Sequence, residues 1–186
     1  MEVYIVRHTQ VNVAKNICYG QADVSLADTF LEEAENLKLK LPQTIEKAYS
    51  SPLSRCKRLA EHLYQDVIFD TNLKEMHFGD WEMKTWDEIN AEQLNTWMND
   101  FVNIPAPNGE SLLKLYERTS IFLNELRLKQ HKNAILVTHG GVIRCMWAYV
   151  LEIHLQNIFK MPVNFGEVFK LKLGKDKSRD NIQKLY

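Results

Sequence analysis

The sequence predicts an α/β domain built on a mostly parallel sheet, and three observations carry that expectation. Short apolar, β-branched runs alternate with helical periods along the chain. One run, Ala134–Thr138, is apolar almost throughout, as a strand covered on both faces must be. Two of the runs end abruptly in polar groups, Arg7-His8 and His139. Open α/β sheets bind their ligands outside the carboxyl ends of the strands.

The elements follow in order. Val3–Val6 is the first strand, and a loop covers Thr9–Leu26. Thr29–Leu39 has helical spacing, with Leu31, Ala34 and Leu37/Leu39 as an apolar stripe. Lys47–Ser50 is a second strand. Ser51-Pro52 then offers an N-cap and a first-position proline for a helix whose Leu53, Cys56, Ala60 and Leu63 face the core. Val67–Phe69 is a third strand. Residues of about 76–107 hold Trp81, Trp86 and Trp97 without a clear strand and read as a partly helical excursion above the sheet, closed by the turn Pro105–Gly109.

An amphipathic helix follows over Ser111–Lys129, with Leu112, Leu115, Thr119, Phe122 and Leu126 on one face. After Ala134–Thr138 comes His139-Gly140-Gly141 and a helix to about Leu151. Glu167–Leu173 and Ile182–Tyr186, joined by a polar turn, form an edge hairpin.

Composition bounds the function. The 186 residues suit a single domain over 1–186, and 45% hydrophobic residues suffice for its core. Lys and Arg number 23 against 24 Asp and Glu, a net charge of −1, so neither nucleic acid nor an anionic membrane is an expected partner. The chain opens on a strand rather than a leader, and no apolar run nears the ~18 residues of a membrane span. Cys18, Cys56 and Cys145 fit neither a disulfide framework nor a zinc site. A cytoplasmic protein is expected, with homodimerisation left open.

If the strands are parallel neighbours, one rim of the sheet gathers Arg7 and His8, Ser50-Ser51 with Arg55 just beyond, and His139; Glu75 follows the third strand and can reach the same rim. Each alone reads blandly: an Arg such as Arg55 is usually solvated and a lone His is usually structural. Together they point to chemistry on a phosphate, since guanidinium groups clamp oxyanions and an imidazole can act as a nucleophile. Arg7 beside His8 argues against a metal, as does the absence of a His-x-x-x-His pair. Glycine-rich nucleotide loops and a Gly-x-Ser-x-Gly elbow are also absent. Trp81 can either wall the site or anchor the excursion. Of His62, His77, His131 and His154, only His77, two residues from Glu75, merits attention.

These residues resemble the histidine phosphatase superfamily, the phosphoglycerate-mutase-like proteins. Arg7-His8-Thr9 is similar to its Arg-His-Gly signature, and Ser50-Ser51-Pro52-Leu53-Ser54-Arg55-Cys56 to its Ser-Ser-Pro-Leu-x-Arg-Ala segment. Leu73–Glu82 is similar to its Leu-x-Glu-x-x-x-Gly-x-Trp-Glu segment, and Thr138–Arg144 to its second-histidine segment. Cys18–Leu26 is most similar to the α-ribazole phosphatase branch. Two positions depart from the family: Thr9 stands where glycine is usual, and Ala14 where an Asn is frequent, with Asn12 as its candidate replacement.

The resemblance implies a three-layer α/β/α sandwich with a mostly parallel central sheet. It implies a metal-independent phosphomonoesterase with no cofactor and a small-molecule phosphate ester as substrate. His8 would be the nucleophile, Arg7, Arg55 and His139 the phosphoryl-holding groups, and Glu75 the proton donor, kept protonated for the first half-reaction. Thr9, Asn12, Tyr19, Gly20 and Gly140 would line the substrate site. A mutase that returns the phosphoryl group, a broad metabolite phosphatase, and a phosphate-ester-binding module on a retired fold are the competing readings.

Overall fold

The computed structural model describes all residues from Met1 to Tyr186. One six-stranded sheet organises it, from β1 (Glu2–Arg7), β2 (Lys47–Ser50), β3 (Val67–Phe69), β4 (Asn133–Thr138), β5 (Val168–Lys172) and β6 (Asn181–Lys184). Their spatial order is β3-β2-β4-β1-β5-β6. The first four are parallel neighbours, and β5 and β6 add an antiparallel hairpin at one edge.

The helices are α1 (Phe30–Lys40), α2 (Ser54–Leu63), α3 (Ala91–Asn99), α4 (Leu112–Leu128) and α5 (Gly140–Leu151). They divide between the two sheet faces, and the strands' two-residue period does the dividing. Val3, Ile5, Ala134, Leu136, Phe169 and Leu171 pack with α4, α5 and the tryptophans of the excursion. Val6, Ile135, Val137 and Val168 point the other way, onto Phe30, Ala34 and Leu37 of α1 and Cys56, Leu59 and Ala60 of α2. The result is the three-layer sandwich that the resemblance implies. A side chain such as Ile135, wholly removed from water, contributes about 1.5–3 kcal/mol by burial.

The α4 stripe falls where its spacing places it: Leu112, Leu115, Thr119, Phe122 and Leu126 are all buried, and Ser111 accepts from the Lys114 N–H at 3.3 Å as the N-cap. Two other expectations need correction. In α1 the buried stripe is Phe30, Ala34, Leu37 and, just past the helix, Leu41, spaced four, three and four apart, while Leu31 and Leu39 face solvent. Helix α2 begins at Ser54 with Leu53 as N-cap, not at Ser51-Pro52. The Ser51 hydroxyl accepts from Leu53 N–H at 3.3 Å, ahead of the helix, and lies 2.8 Å from His139 Nε2. No helix is long and apolar enough to cross a membrane.

Candidate active site

Register brings the strand ends together. Arg7 pairs with Thr138 and Ser50 with Val137, so β1, β2 and β4 stop on one line. The next residue of each is held there by the main chain: His8 N–H donates to Thr138 O at 3.0 Å and Ser51 N–H to Val137 O at 3.0 Å, while His139 caps α5. The rim carries His8, Ser51 and His139 because parallel ladders in register end together.

His8 is 2% exposed. Its Nδ1 lies 2.8 Å from Thr9 O. A carbonyl can only accept, so Nδ1 carries the hydrogen and Nε2 keeps its lone pair. Burial, then the charges of Arg55 and Arg7, push its pKa well below the ordinary histidine value, so the ring is neutral. His139 stands edge-on to it, with ring centroids 5.2 Å apart. Its Nε2 is 2.8 Å from Ser51 Oγ and 3.4 Å from Cys56 Sγ. Burial and the charge of Arg55 hold His139 neutral as well.

Arg55 is fully buried, the opposite of the solvated arginine its sequence position suggested in isolation. It donates from Nη2 to Gly20 O at 2.5 Å and from Nη1 to Ala22 O at 3.0 Å, which fixes the first loop. Gly20 allows that loop to come so close, because a Cβ there would lie 2.0 Å from Met76 O. Arg7 donates from Nη1 to Val163 O at 2.6 Å, and its guanidinium lies 3.9 Å from the centroid of the Phe165 ring. Tyr19 stands between the two arginines, and burial raises the pKa of its phenol. Arg7 Nε, Arg55 Nε and Thr9 Oγ1 are buried without a protein partner. Such groups are rare in proteins, and two of them belong to the guanidinium groups whose charges act on His8.

Glu75 lies against the start of α5. Its Oε2 accepts from Gly141 N–H at 3.0 Å and its Oε1 from Met76 N–H at 2.9 Å. A Cβ on Gly141 would lie 2.2 Å from Oε1, so the carboxylate needs that glycine. Gly140 adjoins Arg7 and Arg144: a Cβ there would sit 3.5 Å from Arg7 Nε and 3.1 Å from Arg144 Nη1.

The structure therefore brings together Arg7, His8, Thr9, Tyr19, Gly20, Arg55, Glu75, His139 and Gly140. Asn12 is exposed, and its N–H donates to Ser25 O at 2.8 Å. Trp81 is buried against Trp97 in the core, with ring centroids 5.7 Å apart, which favours its anchoring role. His77 is nearly half-exposed and turns toward Glu82, 3.9 Å away. Sequence reasoning missed Phe165 and Val163, in a loop with no periodic signal. It also missed Arg144, whose signal was its place in the first turns of the helix after His139.

Comparison with known proteins fixes the family. Residues 3–181 match the histidine phosphatase superfamily (branch 1). The chain belongs to that superfamily. Among its relatives, the probable phosphoglycerate mutase GpmB of Escherichia coli O1:K1 / APEC is 32% identical over 163 residues, covering 81% of this chain and 75% of that protein. The α-ribazole phosphatase of Shigella flexneri superposes with a TM-score of 0.90 over 100% of this chain and 96% of that one, at 24% identity. A mycobacterial glucosyl-3-phosphoglycerate phosphatase superposes with a TM-score of 0.81 over 98% and 96%, at 23% identity. At these identities the two superpositions speak for the fold. This histidine phosphatase superfamily member shares their overall fold.

Proposed function

We propose that this protein is a metal-independent phosphomonoesterase that works through a phosphohistidine on His8. The observation that carries this reading is the His8 ring itself: neutral, with Nδ1 tied to Thr9 O and Nε2 bearing a lone pair, beside two arginine Nε–H groups that have no protein partner. A neutral imidazole with a fixed tautomer is a nucleophile, and unpaired buried guanidinium donors suit the oxygens of a phosphoryl group.

In the first step the Nε2–P bond forms as the ester P–O bond breaks. Glu75 gives its proton to the departing oxygen, which leaves as the alcohol. In the second step a water oxygen bonds to phosphorus, its proton passes to Glu75, and the Nε2–P bond breaks to release phosphate. Arg7 and Arg55 hold the equatorial oxygens throughout, where charge stabilisation is worth most. His139, neutral and fixed beside Ser51, adds a further polar contact.

For the substrate we favour α-ribazole 5′-phosphate, on the similarity of Cys18–Leu26 to that branch; part of this loop is the stretch that Arg55 pins beside the site. Phosphoglycerate isomerisation and broad metabolite hydrolysis are the competing readings.

The test is a quench of enzyme with labelled phosphomonoester. The wild type should yield an acid-labile, base-stable phosphoenzyme, and His8→Ala should lose both the label and turnover, by about 10⁴-fold or more. An acid-labile phosphoenzyme surviving in His8→Ala would sink the nucleophile assignment. Comparing kcat/KM across α-ribazole 5′-phosphate, 3-phosphoglycerate and other esters, with phosphate release read against isomer formation, decides the substrate.

A further inference from the structure

The segment that carries Glu75 belongs to no strand, so its carbonyls have no ladder to pair with. Yet four consecutive carbonyls, 72 to 75, accept from side chains of other elements. Arg118 of α4 donates from Nη1 to Asn72 O and Lys74 O, both at 2.7 Å, and from Nη2 to Glu75 O at 3.0 Å. Thr138 Oγ1 donates to Leu73 O at 2.8 Å, and Gln21 Nε2 to Glu75 O at 3.0 Å.

The other side of the same guanidinium grips Glu110. Nη2 lies 2.6 Å from Glu110 Oε1, and Nε lies 3.2 Å from Oε2. Glu110 Oε1 in turn accepts from His77 N–H at 2.9 Å. The Arg118–Glu110 pair thus holds the main chain around Glu75: two carbonyls before it, its own carbonyl, and one amide after it. Both side chains are largely buried, at 17% and 15% exposure, so the pair is poorly screened.

We propose that Arg118, backed by Glu110, is a positioning residue that sets the Glu75 carboxyl in register with the leaving oxygen. The inference rests on the reading of Glu75 as proton donor. Only a planar fork can bridge three carbonyls and a carboxylate at once; a lysine is a point donor. A displacement of about an ångström in an acid–base group is enough to cost much of its catalytic contribution.

The role has a signature that a merely structural residue lacks. An acid matters for a poor leaving group and hardly at all for a good one. The experiment measures kcat/KM with an alkyl phosphate and with 2,4-dinitrophenyl phosphate in the wild type, Glu75→Gln, Arg118→Lys and the charge-neutral double variant Arg118→Met/Glu110→Gln. Circular dichroism and melting confirm that each is folded.

Glu75→Gln should lose about 10²–10⁴-fold on the alkyl ester and little on the dinitrophenyl ester, the range of a general acid's contribution. Arg118→Lys should reproduce the selective loss at roughly 10–100-fold, part of that range. The double variant should do the same even though it leaves no buried charge unpaired. If Glu75→Gln is selective but Arg118→Lys and the double variant lose both substrates equally, or neither, the positioning role is wrong and the acid reading stands. If Glu75→Gln is itself unselective, the acid reading falls and the inference with it.

Discussion

Two regions meet at the site, and they are held in different ways. His8 and Ser51 hang from β4 by main-chain bonds, as direct continuations of their strands. Glu75 sits in a segment whose carbonyls are taken up by Arg118, Thr138 and Gln21. His8 and Arg7 share the rigidity of the sheet and Arg55 that of α2, whereas the proposed proton donor Glu75 sits on main chain held by a handful of side-chain bonds from α4, β4 and the first loop. A backbone ladder tolerates most substitutions along it; a side-chain clamp can be undone by one.

That contrast can be broken by experiment. The largest effect is expected at Arg55. Arg55→Met should lower kcat/KM by about 10²–10³-fold, as loss of an oxyanion donor does. Because Arg55 belongs to the phosphoryl side, the loss should be the same for alkyl and dinitrophenyl esters. Inhibition by inorganic phosphate should weaken with it. A loss that depends on the leaving group would show that the two regions are not separable.

A smaller and selective effect is expected at Gly141. Gly141→Ala places a Cβ where Glu75 Oε1 now lies, 2.2 Å away. Alanine is the better helix residue by about 1 kcal/mol, so helix stability does not oppose the change. The alkyl ester should lose roughly 10-fold or more in kcat/KM, within the contribution of a general acid, while the dinitrophenyl ester is spared. Equal loss on both would show that the rim, and not the acid, had moved.

The smallest effect is on stability. Both histidines of the rim have their pKa values pushed well below the ordinary 6.5 by burial and arginine charge. The unfolded chain takes up protons there as the pH falls below 6.5 and the native state does not, so stability must fall with pH. Carboxylates held below their ordinary 4.5, such as Glu2 and Glu167, add their own loss only at lower pH. Between 6.5 and 4.5 the melting temperature should drop by roughly 2–4 °C for each kcal/mol lost. The double variant His8→Asn/His139→Asn should flatten this slope. An unchanged slope would mean that the rim histidines accept protons in the native state after all.

Much of this protein was legible residue by residue. The inner face of α4, four apolar positions and Thr119, was marked by spacing alone, and all five are buried. The strand at Ala134–Thr138 declared itself by having no polar face, and it lies at the centre of the parallel strands. Ser51-Pro52 misled because Ser at a helix start is a strong local signal. Its hydroxyl instead closes a local turn onto Leu53 N–H and meets His139, and the helix begins three residues later, at Ser54. Leu31 and Leu39 misled because a helix offers more than one apolar line, and only packing chooses among them.

The sequence by itself determined the chemistry: which strands end in Arg7-His8 and His139, and the motif that ties Arg55 and Glu75 to them. Those are local facts, written in residue type and spacing. Only the tertiary structure decided the state of that chemistry. Register set the strand ends on one line, Thr9 O chose the tautomer of His8, burial kept both histidines neutral, and Arg118 reached across from α4 to hold the chain at Glu75. Protonation and placement depend on what surrounds a group in space, and residues 43 positions apart, such as Glu75 and Arg118, become neighbours only when the chain folds.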